Sequence, residues 1–294
     1  MRREQKNLLK SNVNSKKMEL KKKILIKGFA DSFNAIRKKP IYFIASLIID
    51  FLFLFIFSIV YYFFFEKIMD KIISLLMLTG KALQGVTQNE MSLNILANQQ
   101  QMNSLIVGIG FWILGLAVLV YILYCTFQGT SWFFANKIFK SKLNYLKYIK
   151  RFFAVNTLWH IAFMIIAYFY VRALIFTNVL KISSNFETVR IFSLIILIIL
   201  SYFAFISYVL IKKYGFIDSI KKSFSLGTKE FSTIVPMYIL LILGFALIEV
   251  ILRLLFMINT TLMIVVGMIL TFPFIVYAKL VIISVIENLV KKSN

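Results

Sequence analysis

The chain has 294 residues, of which 60% are hydrophobic, and it carries 34 lysines and arginines against 12 aspartates and glutamates. Soluble domains are roughly 45–50% apolar, so this composition excludes an ordinary soluble protein. A formal net charge of +22 would indicate nucleic acid binding in a soluble protein. The positions of the charges favour a membrane protein instead, with no nucleic acid partner. The single cysteine, Cys125, cannot form an intrachain disulfide.

Six apolar runs are each long enough, at about 20 residues, to cross the hydrocarbon layer of a membrane. The predicted fold class is therefore all-α, a polytopic helical membrane bundle of six transmembrane helices. We expect residues 1–27 to be a basic, disordered or loosely helical tail, and residues 28–290 to form one transmembrane domain. Its hairpin units are predicted at 28–131, 132–211 and 212–290. The predicted spans are 41–65, 105–127, 152–176, 191–211, 235–258 and 261–286.

The charges are distributed unevenly between the two sides of these spans. With the N-terminus inside, 26 of the 34 lysines and arginines fall in inner segments and five in outer segments. Cytoplasmic loops carry such an excess, so both chain ends are predicted on the cytoplasmic side of the cell membrane. The lipid bilayer is the expected partner, with anionic lipid at its cytoplasmic face.

A short motif occurs twice. Gly28-Phe29-Ala30-Asp31-Ser32-Phe33 leads to Pro40 and an apolar run, and Gly215-Phe216-Ile217-Asp218-Ser219-Ile220 leads to Pro236 and another. Proline is tolerated at the first position of a helix, so each proline is predicted to begin a span. Apolar residues recur at helical spacing opposite lysines before spans one, three and five. Amphipathic interfacial helices are therefore predicted at 24–38, 132–150 and 215–231.

This layout resembles a group of uncharacterised six-span membrane proteins that includes the membrane domain attached to some glycerophosphodiester phosphodiesterases. The resemblance covers most of the chain in layout, and in residues it is carried by Gly28 to Ile36 and Gly215 to Phe224. It implies a membrane module. No catalytic residues are implied for this chain, because the hydrolase of such proteins is a separate domain that this chain is expected to lack.

Residues 66–103 are the only long outer segment. An apolar stripe from Ile68 to Leu83 predicts an amphipathic helix lying on the outer face. The Asn- and Gln-rich residues that follow predict either a second polar helix or a mobile loop.

Two acidic residues lie within predicted spans, where a charge costs about 2.5–3.5 kcal/mol on insertion scales. Glu249 and Arg253 are four residues apart on one helix, which predicts an ion pair. Asp50 lies about 15 Å from Pro40 along its helix, near the midplane. It is either protonated or meets Arg253 or His160 across the bundle. Asp50 is the strongest functional candidate, although an interhelical hydrogen bond also accounts for it.

The other intramembrane ionisable groups have simpler interpretations. Arg172 and Lys279 are predicted to extend to an interface, since both are near helix ends. His160 is the only histidine. It cannot form a zinc site without cysteine or carboxylate neighbours, and Trp159 beside it favours packing.

Catalytic motifs are absent from the sequence, which lacks a phosphate-binding loop, an H-E-x-x-H pair and a G-x-S-x-G turn. We therefore expect no enzyme, catalytic residue, metal or cofactor. One interpretation is a membrane scaffold or accessory module that binds proteins or organises lipids through its basic helices. The other is a small permease with a polar path along Asp50, Glu249 and Arg253. A closed bundle favours the first and a continuous polar cavity the second.

Overall fold

The computed structural model describes residues 2–82, 88–139, 144–178 and 185–293. Throughout these ranges the regular elements are helices. In chain order they are α1 (Arg2–Lys38), α2 (Pro40–Ala82), α3 (Gln88–Leu123), a π-helical turn (Tyr124–Gln128), α4 (Gly129–Phe139), α5 (Tyr145–Asn178), α6 (Asn185–Leu210), α7 (Phe216–Lys229), α8 (Phe231–Ile258) and α9 (Thr260–Ser293).

Among the described residues, six helical stretches are long and apolar enough to cross a membrane. They are Pro40–Gly80, Asn98–Phe139, Tyr145–Tyr170, Thr188–Leu210, Phe231–Ile258 and Thr260–Lys292. The predicted all-α, six-span fold is therefore confirmed, and the chain is a multi-pass membrane protein. Pro40 begins α2 as expected, whereas α8 begins at Phe231 and contains Pro236 in its second turn.

The helices form two compact units, Met1–Asp50 with Gly129–Asn294, and Phe51–Gln128. The smaller unit contains an antiparallel pairing of α2 and α3. Phe53 contacts Tyr124 edge-on at 6.1 Å, and Phe64 contacts Trp112 at 5.5 Å. A Cβ atom on Gly115 would lie 3.1 Å from the Phe64 ring, so this glycine leaves room for that ring between the two helices.

Helix α2 does not break where span one was predicted to end. It continues to Ala82, and α3 begins at Gln88. The segment expected on the outer surface and the Asn- and Gln-rich segment are therefore parts of long helices. No glycine or proline occurs between Pro40 and Gly80, so nothing in that stretch interrupts the helix. Residues 83–87 lie outside the described part of the chain.

Helix α9 is the central element of the larger unit, where it packs against α1, α4, α6 and α8. Its second half is largely buried, and its buried apolar residues include Leu280, Val281, Ile283 and Ile286. Helices α5 and α6 pair along their length, and α7 packs on both. Close contact between α1 and α9 requires Gly28, because a Cβ atom there would lie 2.3 Å from Val285 Cγ2.

The two copies of the repeated motif share one hydrogen bond and differ in their helices. Ser32 Oγ donates to the Gly28 carbonyl at 2.7 Å, and Ser219 Oγ donates to the Gly215 carbonyl at 2.6 Å. Both serines are completely buried. Gly28 lies inside α1, whereas Gly215 has extended backbone and precedes α7. The two copies therefore share the serine-to-glycine hydrogen bond, but they differ in where the helix begins relative to the glycine.

A helix precedes each of spans one, three and five, as predicted, but the middle one differs from the predicted 132–150. Helix α4 ends at Phe139, and none of its residues is exposed. It packs against α1, α5 and α9. The next helix, α5, begins at Tyr145, after Asn144 Oδ1 accepts a hydrogen bond from the Lys147 backbone N–H. The apolar stripe predicted to face lipid instead contacts other helices, and sequence periodicity alone cannot separate these two environments.

Candidate functional site

Asp50 and Lys279 form a salt bridge in the interior of the larger unit. Lys279 Nζ donates hydrogen bonds to Asp50 Oδ1 at 2.7 Å and to Oδ2 at 2.8 Å. Asp50 is 2% exposed and Lys279 is 7% exposed. The pair joins the first turns of α2 to the second half of α9.

Two serines complete this buried cluster. Lys279 Nζ also donates to Ser131 Oγ at 2.7 Å, and the hydroxyls of Ser131 and Ser46 lie 2.8 Å apart. Both serines are completely buried. The ring of Trp132 lies 5.9 Å from Lys279 Nζ, within reach of a cation–π contact. The cluster therefore connects α2, α4 and α9.

The hydrogen bonds of Lys279 limit the chemical roles that this cluster can have. A lysine ammonium has three donors, and Lys279 donates to two carboxylate oxygens and to one hydroxyl. An ammonium held in this way has no lone pair with which to act as a base or a nucleophile. Removing one member of such a buried pair leaves an uncompensated charge, which typically costs about 3–5 kcal/mol. The arrangement is suited to holding helices together.

The partner of Asp50 corrects two predictions. Sequence reasoning named Arg253 or His160 as the partner and expected Lys279 to extend to an interface. The structure buries Lys279 and pairs it with Asp50. Depth along one helix says nothing about which neighbouring helix faces a residue. A usable signal did exist. In the predicted spans Asp50 lies about 15 Å after Pro40 and Lys279 about 10 Å before residue 286, and these two span ends were predicted on the same side, so opposite charges share a level.

The predicted Glu249–Arg253 ion pair is present on α8. Arg253 Nε donates to Glu249 Oε1 at 2.9 Å, and the side chains are 79% exposed for Arg253 and 58% for Glu249. This pair therefore faces away from the helix bundle. Arg253 is five residues, about 7.5 Å, from the end of α8 at Ile258, so its guanidinium can reach the lipid headgroups.

His160 lies half-buried on α5. No group of three His, Cys, Asp or Glu side chains is placed to hold a metal ion among the described residues. The side chain of Arg172 lies outside the described part of the structure.

Sequence reasoning missed an uncharged polar network between α4, α5 and α6. Asn136 Nδ2 donates to Tyr148 Oη at 3.2 Å, and Tyr148 Oη donates to the Tyr208 carbonyl at 3.3 Å. Tyr208 Oη in turn donates to Asn156 Oδ1 at 2.8 Å. All four residues are buried. Asparagine and tyrosine inside apolar runs were the only available signal for this network, since each needs a partner when it is buried.

Positive charge gathers at the end of the bundle where α6 ends and α7 begins. Lys212 forms an ion pair with Glu287 of α9. The ammonium of Lys222 lies 3.5 Å from the ring centre of Tyr214. Burial raises the pKa of Tyr214, but hydrogen bonds and charge from Lys213 and Lys222 bring that pKa below its ordinary value. This end of the bundle is therefore electropositive.

No protein-family model, curated protein or solved structure matches the chain. The resemblance to six-span membrane modules stays a prediction.

Proposed function

We propose that this protein is a non-enzymatic membrane scaffold or accessory module, with both ends on the cytoplasmic side of the cell membrane. Its intramembrane charges hold its own helices together, and its basic helices organise anionic lipid. The observation that carries this proposal is the closed cluster of Asp50, Lys279, Ser131 and Ser46.

The burial of this cluster supports a scaffold over a permease. Charged groups on a permeation route face a water-filled cavity or exchange partners with a solute. Asp50 and Lys279 are almost completely buried and bond each other. The exposed Glu249–Arg253 pair faces outward. The residues suggested for a polar path therefore have structural partners of their own.

Helix α7 supports the proposed contact with lipid. Phe216, Ile217 and Phe224 are 40%, 51% and 42% exposed, and Lys221 and Lys222 beside them are also exposed. Apolar and cationic side chains on one surface helix are typical of helices that lie in the interface of an anionic membrane. Each lysine near such a surface contributes about 1 kcal/mol.

Cysteine accessibility tests the closed core without any assumption about the solute. Ser46→Cys, placed in a Cys125→Ala background, is treated with a charged, membrane-impermeant thiosulfonate applied from either side of sealed vesicles. The scaffold proposal expects no reaction from either side. The control, Ser225→Cys on the exposed surface of α7, should react from one side. Rapid modification of Ser46→Cys would favour the permease.

Energy transfer tests the organisation of lipid. The protein carries a fluorophore at its C-terminus, in vesicles that contain headgroup-labelled phosphatidylglycerol or phosphatidylcholine. Transfer to phosphatidylglycerol should be the stronger, should weaken with salt, and should fall in Lys221→Gln/Lys222→Gln/Lys229→Gln. Equal transfer to the two lipids would overturn the proposed lipid contact.

A further inference from the structure

A cavity of about 270 Å³ opens where α5 begins and α6 ends. Four of its seven lining residues are cationic and none is acidic. The lining residues are Asn144, Lys147, Tyr148, Arg151, Ile211, Lys212 and Lys213. The positive charge of this wall favours an anion over a neutral or cationic ligand.

Among the described residues, an acidic partner is found for one of these four cations. Lys212 is paired with Glu287. Within the described part of the chain, no salt bridge involves Lys147, Arg151 or Lys213. Arg151 Nη1 donates to the Ile211 carbonyl at 3.0 Å, which fixes the guanidinium at the cavity wall. Three cations thus line the cavity without a salt bridge to any described acidic residue.

An apolar cavity adjoins this basic one. It has a volume of about 120 Å³ and shares Lys212 and Lys213 with the first. Its remaining lining residues are mainly aliphatic: Val209, Leu210, Ile286 and Val290, with Glu287 and Lys291. A ligand that spans both cavities would combine an anionic group with an apolar portion.

The position of the two cavities agrees with such a ligand. Candidate spans begin at Tyr145 and end at Leu210, immediately beside the basic cavity. A cavity at the end of two spans lies at the level of the lipid headgroups.

We propose that the basic cavity binds a phosphate group, and that the source of the phosphate is an anionic phospholipid whose glycerol end lies against the apolar cavity. Arginine and lysine bind phosphate through charge-assisted hydrogen bonds, which are about twice as strong as neutral ones. The inference extends the proposed lipid contact from the surface of α7 to a defined site. It rests on the proposed function only in its choice of lipid over free phosphate.

Native mass spectrometry of the full chain tests the site. The protein is titrated with dioleoyl phosphatidylglycerol, and separately with dioleoyl phosphatidylcholine, which has the same phosphate but no net charge. We expect one phosphatidylglycerol per chain to bind tightly. In Lys147→Gln/Lys213→Gln two pocket cations are lost, which should weaken this binding about 30-fold. Both side chains are exposed, so the variant should fold.

The matched control is Lys150→Gln/Lys292→Gln, which removes the same charge from exposed lysines outside the pocket. It should leave the affinity of the tight site unchanged. A third arm adds inorganic phosphate as a competitor. If inorganic phosphate competes only weakly with phosphatidylglycerol, the lipid is the source of the phosphate group. If inorganic phosphate displaces the lipid at equal concentration, the site binds phosphate but the lipid is not its specific ligand.

Two results would overturn the site itself: no tight binding of either phosphatidylglycerol or phosphate, or equal losses in the pocket variant and the control. The triple α7 variant separates this inference from the proposed function. Loss of lipid enrichment around α7 with a retained tight site contradicts the proposed function only.

Discussion

Lys279 in the last span donates hydrogen bonds to both carboxylate oxygens of Asp50 in the first span, 229 positions earlier in the chain. Each residue taken alone is a costly charge inside a membrane helix. As a pair, their opposite charges neutralise each other, and the salt bridge links α2 to α9. This contact makes the completed bundle depend on its last helix.

Gly28 tests the packing of α1 on α9. Gly28→Ala should destabilise the protein, because the new methyl group would lie 2.3 Å from Val285 Cγ2. Adding Val285→Ala should restore much of the loss in thermal stability. The control is Gly110→Ala, since no atom lies within 4 Å of a Cβ atom built there. That change should be neutral or stabilise α3 by up to about 1 kcal/mol. Equal effects of the two glycine substitutions would contradict the close packing.

Cys125 tests the burial of the π-helical turn. Its side chain is completely buried, so a fluorogenic maleimide should react with the native protein only as fast as it unfolds. On heating, the rate should rise with the unfolding transition. A Cys125→Ala variant that carries Ser225→Cys should react at once. Rapid labelling of native Cys125 would show that this turn is open.

The orientation in the membrane stays a prediction from the distribution of lysine and arginine. Alkaline phosphatase and green fluorescent protein fused after Glu90 and after Asn294 should report opposite sides, with Asn294 in the cytoplasm. Both fusions on the same side would contradict the five membrane spans predicted between residue 90 and the C-terminus.

The Glu249–Arg253 pair should matter less to stability than its position in a span suggests. Both side chains lie on the outside of the bundle, and Arg253 can reach the headgroups, where ion pairs in contact with water contribute about 0–1 kcal/mol. Glu249→Gln and Arg253→Met should each lower the unfolding temperature slightly, with weak coupling in the double variant. Strong coupling in a double-mutant cycle would show that the pair is enclosed by another surface in the membrane.

The helices of this fold could be predicted from sequence because apolar runs of sufficient length report them directly. The environment of α4 could not, because the stripe that carries Trp132 and Phe133 looks the same whether it faces lipid or protein. The full length of α2 was not predicted, because the apolar run ends at Phe65. The more polar residues after Phe65 continue the same helix.

In the candidate site, too, some contacts could be predicted from the sequence and others could not. Glu249 and Arg253 are four apart on one helix, so their contact is local and was predictable. Asp50 was singled out by the cost of a charge in hydrocarbon. Its partner required the rotation and neighbours of α9, which one sequence does not contain. Ser46 and Ser131 carried no signal at all, since serine is common in membrane helices.

The most direct test of this account is a double-mutant cycle on Asp50 and Lys279, read as the free energy of unfolding in a fixed lipid–detergent mixture. Asp50→Asn and Lys279→Met should each destabilise the protein by about 3–5 kcal/mol, because each leaves one buried charge. The double variant should recover most of that loss, with a coupling energy of about 3 kcal/mol or more. Normal stability in both single variants, or additive losses in the double variant, would contradict a salt bridge that holds the bundle closed.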